Sequence, residues 1–208
     1  MSPSDPLNFR PSIGDRVGIM FFMVLGLAVV VWSGVGSAMY ITRVVRGQEI
    51  WATVGFVNTV VDVPVGEAQT MVPMNIETAN ITVDQLTGTA LGTAIVSSLL
   101  HFVVIAALVT CLILLAMNSL RGRIFSRANT RLVIGAGMAA LVGFGVTSVL
   151  DRMVGNEVLL SLGEGSLKNV AVMTADPLPF VLIAFAFGII ATAYTVGARM
   201  QRETEGLV

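Results

Sequence analysis

Four stretches of the chain are almost free of charge, and nearly all the polar residues collect between them. Val17–Thr42, Leu91–Met117, Leu132–Leu150 and Leu178–Ala198 hold no Asp, Glu, Lys or Arg, and Leu91–Met117 has His101 as its only ionisable group apart from Cys111. About 20 apolar residues, rising ~1.5 Å each, cross the ~30 Å hydrocarbon core of a bilayer. Each stretch therefore predicts a membrane helix. Elsewhere the pattern changes period. Val61-Asp62-Val63-Pro64-Val65 alternates strictly and Ile81-Thr82-Val83-Asp84 does so briefly, which predicts half-buried strands, with Pro64 confining its strand to an edge.

Charge orients these elements. The segment 118–131 carries Arg121, Arg123, Arg127 and Arg131 and no acid, and short arginine-rich loops remain on the cytoplasmic side. Arg43 and Arg46 argue locally the other way, but the middle loop outvotes them, and Arg199 and Arg202 agree with it. Between Arg46 and Arg121 there is no basic residue, while Glu49, Asp62, Glu67, Glu77 and Asp84 fall in that interval, as expected of a translocated segment. The expected fold is an all-α membrane protein with four transmembrane helices, both termini cytoplasmic, and a small β-rich extracytoplasmic loop domain. In chain order it has a tail (1–16), TM1 (17–42), the β-rich loop (43–90), TM2 (91–117), the basic loop (118–131) and TM3 (132–150). A second external loop (151–177), broken by Gly155, Gly163 and Gly165, then leads to TM4 (178–198) and a C-terminal tail (199–208). Asp176-Pro177 has the form of an N-cap followed by proline at the first helical position.

Composition agrees. The chain has 208 residues, 55% of them hydrophobic and 12% charged, where soluble domains carry about 25% charged residues. Its mean hydropathy is +0.85. Eleven arginines against one lysine, with abundant Ala, Gly and Val, match a GC-rich bacterial genome by association. The location expected is therefore a bacterial cytoplasmic membrane. A secretory signal peptide is the competing reading of the first apolar stretch, which is long for one. The lone Cys111 excludes a disulfide framework within the chain. A pI near 5.8 with one short basic cluster leaves no nucleic-acid footprint.

Three ridges of small residues recur every four positions: Gly26, Val30, Gly34 and Ala38; Gly135, Ala139, Gly143 and Thr147; Ala184, Gly188 and Thr192. Such ridges let helices approach closely in lipid, although glycine is also simply common in membrane helices. Gly135-Ala136-Gly137-Met138-Ala139-Ala140 fits the glycine fingerprint of a dinucleotide-binding turn, but that motif works only between a strand and a helix start. Here it sits inside an uncharged run.

His101 is the one conventional ionisable side chain within a span, and such residues are functional suspects. A metal site would need further His or Cys ligands. Ser97 and Ser98 lie nearby, but no acid shares their span, so nucleophilic catalysis is unsupported. By rise per residue, His101 stands about 24 Å from Met117, and Thr147 and Ser33 reach similar levels on their helices. A polar layer of Ser33, His101 and Thr147 follows if all three face inward.

Gly122–Leu132, the sequence GRIFSRANTRL, resembles the middle loop of a bacterial membrane family known as domain of unknown function 2975. The ending Gly197–Val208, GARMQRETEGLV, is similar to that family's C-terminal signature, and the four-helix layout with a large first external loop also matches. The resemblance implies a topology and a bacterial cytoplasmic membrane, and it brings no activity or catalytic residues. The function expected is a non-enzymatic accessory, assembly or scaffolding subunit without cofactor or metal, whose partners are membrane lipids and other integral membrane proteins. The alternative is a small-molecule or ion pathway centred near His101. Helix is expected to continue into the tail through about Thr204, with Glu203 or Glu205 near Arg123 or Arg127.

Overall fold

The computed structural model describes residues 12–66, 70–86, 88–121, 125–162 and 178–205, and gives 15, 57, 58, 201, 202, 204 and 205 by backbone alone. Among the described residues the protein is mostly helical: α1 (Ile13–Val45), α2 (Gly88–Leu120), α3 (Arg127–Leu162) and α4 (Leu178–Glu205), with one antiparallel pair of strands, β1 (Ile50–Val65) and β2 (Thr70–Val83), between α1 and α2. All four helices are long and apolar enough to cross a membrane, so the protein is a multi-pass membrane protein. The tail 1–11, Arg123 and the expected cap at Asp176-Pro177 lie outside the described residues.

The helices overrun the apolar stretches, because backbone hydrogen bonding does not stop where hydrophobicity does. α3 starts at Arg127, where Ser126 caps it by accepting the Asn129 N–H on Oγ at 3.2 Å. It does not end at Leu150 as the apolar pattern predicts, but continues through Asp151 and Gly155 to Leu162, about 54 Å in all. Val154, Val158 and Leu159 explain this extension, since their spacing forms one buried helical face. α4 reaches Glu205, consistent with the helical tail expected. Glu203, however, pairs with Arg199 one turn back on its own helix at 3.2 Å.

Two compact units divide the described chain. The first draws on 1–34, 102–143 and 178–208, the second on 35–101 and 144–177, so the boundary cuts α1, α2 and α3. In the first unit, neighbours in sequence pack against one another. A methyl group added at Gly26 would stand 3.0 Å from Val109, and one at Gly34 3.0 Å from Phe102, so α1 lies close on α2. Gly143 faces Val104 of α2, and Gly137 faces Phe187 of α4. At the end bearing the basic loop, Asn118 Nδ2 donates to Oδ1 of the fully buried Asn129 at 2.6 Å, closing the α2–α3 turn.

The second unit is built on the hairpin. α1 stops at Gly47, whose φ of 62° is readily adopted only by glycine. Gly47 N–H bonds the Val44 carbonyl at 3.3 Å and Gln48 N–H the Arg43 carbonyl at 3.0 Å, the paired bonds of a Schellman stop. The chain turns there into β1, which pairs with β2 from Ile50↔Val83 to Val65↔Thr70, a ribbon about 50 Å long. Between the pairs Gly55↔Thr78 and Thr59↔Ile76, β1 takes four steps where β2 takes two, a bulge that separates a root from a distal half. The root is buried: Ile50 and Ala52 join Val44 of α1, Ala90 and Ala94 of α2, and Val154 and Val158 of α3 in one core.

Candidate functional site

Two features of the second unit stand out, a polar cleft at the hairpin root and an apolar distal half. In the root, Ile50, Ala52 and Val54 are buried and alternate with the exposed Trp51 and Thr53. Gly155 of α3 lies directly against the Thr53 carbonyl, a contact that leaves no room for a side chain. On the outer face, Thr53 Oγ1 donates to Asn80 Oδ1 across the pair at 2.8 Å.

Beside this root lies an open cleft of about 390 Å³, bordered by Tyr40 of α1, Trp51, Thr53 and Thr78 of the hairpin, and Asp151 and Arg152 of α3. Below it, Ser97 is 3% exposed and donates its hydroxyl proton to Asp151 Oδ1 at 2.5 Å. Ser37 Oγ donates to the Ser98 carbonyl at 3.1 Å, tying α1 to α2. Ser97 thus meets an acid after all, supplied by a different helix from its own. Inspection of one span could not find this pair. The available signals were Asp151 as the first charge after a long uncharged run, and Ser97 on the Ala90-Ala94-Ser97 stripe.

The residues of the expected polar layer are arranged as follows. Thr147 is buried at 3% exposure and donates to the Phe144 carbonyl of its own helix at 3.0 Å. His101 is exposed, with its ring 5.9 Å from that of Phe144. Ser33 is half-buried in the first unit.

Of the small-residue ridges, Gly26, Gly34 and Gly143 meet neighbouring side chains, and Ala139 is half-buried. Ala38 and Ala184 are exposed, and Gly135 and Gly188 have nothing within 4 Å of where a side chain would begin. The reason is periodicity. A repeat of four drifts around a helix of 3.6 residues per turn, and the buried stripe of α3 instead alternates steps of four and three through Asn129, Val133, Ala136, Ala140, Gly143 and Thr147. α4 behaves alike: Ile183, Phe187, Ala191, Tyr194 and Ala198 are at least half-buried, with Tyr194 edge-on to Phe125. Gly135 and Gly137 lie inside a helix, not at a strand-to-helix turn. Arg121, Arg127 and Arg131 are exposed.

The distal half of the hairpin carries Val60 (64% exposed), Val61, Val65, Met71 (65%), Val72 and Met74, all open to their surroundings. Among the described residues, the two-stranded ribbon also leaves the outer edge of each strand without a partner strand. By the register, Val61, Val65, Val72 and Met74 share one face of the ribbon and Val60 and Met71 the other, and exposed apolar surface of this kind marks an interaction site in soluble surroundings. No protein-family model, curated protein or solved structure matches the chain.

Proposed function

We propose that this protein is a non-enzymatic accessory or assembly subunit of a larger membrane complex, which engages an integral membrane partner through the distal half of its hairpin. The observation that carries this reading is the contrast along one ribbon, whose root is sealed into a helical core while its far half presents exposed valine and methionine. Anchoring fixes where the ribbon stands, and exposure gives a partner something to bury. Lipid-facing surface supports the same reading. The apolar windows of α1 and α4 are 0% buried and that of α2 only 6%, so three helices have whole faces available to lipid or to other spans. In this proposal the hairpin is extracytoplasmic, both termini and the basic loop are cytoplasmic, and the membrane is the bacterial inner membrane. The resemblance to domain of unknown function 2975 belongs to the same proposal.

Purification in mild detergent followed by mass spectrometry tests it. Stoichiometric membrane subunits are expected with the wild-type chain, and their loss with Val60→Ser, Met71→Ser and Val72→Ser combined. A solitary, monodisperse wild-type protein would overturn the reading. Orientation has its own test: a reporter fused after Ser126 is expected inside and one after Gln69 outside, and the reverse pattern sinks the arrangement. A pathway centred near His101 remains second, and it requires that His101→Gln abolish transport.

A further inference from the structure

The cleft beside the hairpin root combines three chemistries at one level. Asp151 supplies a carboxylate, Arg152 a guanidinium, and Tyr40 and Trp51 supply aromatic rings. Asp151 and Arg152 are the first charges after the uncharged run Leu132–Leu150, and Tyr40 comes just before Arg43 at the end of the first apolar stretch. The cleft therefore stands where hydrocarbon gives way to the headgroup layer, the depth at which tyrosine and tryptophan collect.

We propose that this cleft binds a zwitterionic phosphoethanolamine group, presented as the headgroup of phosphatidylethanolamine or as the free compound. The two protein charges are opposite and adjacent, so they match a ligand with one anionic and one cationic end better than a purely anionic one. Ser97 occupies only one of the roughly four lone-pair sites of the Asp151 carboxylate, which leaves acceptors for a primary ammonium. The aromatic faces of Trp51 and Tyr40 add cation–π attraction for the same end. The planar fork of Arg152 suits phosphate oxygens, with the Thr78 hydroxyl within the same cleft as a further donor, since the Thr53 hydroxyl is committed to Asn80. A volume of about 390 Å³ lies within the ~300–1,000 Å³ usual for small-molecule sites. The proposal stands apart from the hairpin's partner, because the cleft lies at the root and the partner surface on the distal half.

The test uses the full-length protein, delipidated in detergent and exposed to equal amounts of phosphatidylethanolamine and phosphatidylglycerol, with bound lipid read by native mass spectrometry. Retention of phosphatidylethanolamine is expected to exceed that of phosphatidylglycerol about ten-fold, and to fall by a similar factor in Asp151→Asn and in Arg152→Gln. Ser97→Ala, which removes the hydrogen bond but neither charge, is expected to stay within about two-fold of wild type. If Asp151→Asn loses its gel-filtration peak, Arg152→Gln carries the comparison alone. Free O-phosphoethanolamine distinguishes the two sources. Binding to lipid-free protein that Arg152→Gln abolishes assigns the soluble compound, whereas lipid retention without response to it assigns the headgroup. Equal retention of the two lipids with no response to the free compound, or a loss in Ser97→Ala as large as in Arg152→Gln, overturns the proposal.

Discussion

Between Ile50 and Val54 every second side chain is buried, whereas between Val60 and Val65, on the same strand and richer in valine, none is. β-Propensity cannot separate these segments, and their hydrogen-bonded ladders are continuous with one another across a single bulge. What differs is the ground beneath them. The root lies on Val44, Ala90, Ala94, Val154 and Val158, drawn from three helices, and the distal half has no such support among the described residues. Apolar alternation thus reports that a strand has a face to bury, and the neighbouring elements decide whether it is buried within the chain. The distal face is left for something else to cover.

The contrast would break most completely at Gly155. Its backbone touches the Thr53 carbonyl, so Gly155→Leu drives a side chain into the strand that the root depends on. Backbone cannot move aside as a flexible side chain can, and overpacking of this kind costs about 3 kcal/mol or more. Thermal unfolding should fall sharply, and limited proteolysis should cut within Ile50–Gly55. Unchanged melting would mean that the root does not rest on α3.

A paired substitution sharpens the same comparison at lower cost. Val54 is 1% exposed, and Val54→Ala removes two buried carbons and leaves a cavity, for about 2 kcal/mol. Val60 is 64% exposed, and Val60→Ala should alter stability by no more than about 0.5 kcal/mol. Denaturant unfolding of the two variants in one detergent measures the difference. Equal losses would show that the distal half is packed as tightly as the root in the isolated protein.

These positions also show how far the sequence could be read. The four helices were legible because a membrane span is a one-dimensional signal, needing only length and the absence of charge. The root of β1 was not, because the exposed Trp51 is itself apolar and blurs the alternation of Ile50, Ala52 and Val54. The alternation that was legible, Val61 to Val65, falls mostly on exposed positions. The helical continuation past Leu150 was hidden by Asp151, whose charge reads as a loop until Ser97 of another helix is placed beside it. Small residues spaced by four found Gly143 but also Gly135, which points away, since only a repeat near 3.5 stays on one face. Each miss concerns which elements meet, and that information is spread over distant parts of the chain.

The smallest effect is the one that tells burial from polar pairing as the cause of the root's fixity. Thr53 Oγ1 donates to Asn80 Oδ1 at 2.8 Å, on the face of the hairpin turned away from the core, and both residues are exposed. Thr53→Val keeps the shape and the β-branching and deletes only the donor. A neutral hydrogen bond contributes about 0.5–1.5 kcal/mol net. At an exposed pair the abandoned Asn80 oxygen turns to water, which places the loss at the low end of that range. Valine's strand preference offsets part of it. The Thr53 carbonyl against Gly155 is backbone and survives the change. Thr53→Val should therefore cost no more than about 0.5 kcal/mol in unfolding, well below Val54→Ala next to it. Hydrogen exchange at Val54 and Ala79 should also stay as slow as in the wild type. If the pair Thr53 and Asn80 instead held the register, those amides would exchange faster, and the cost would approach that of the buried valine.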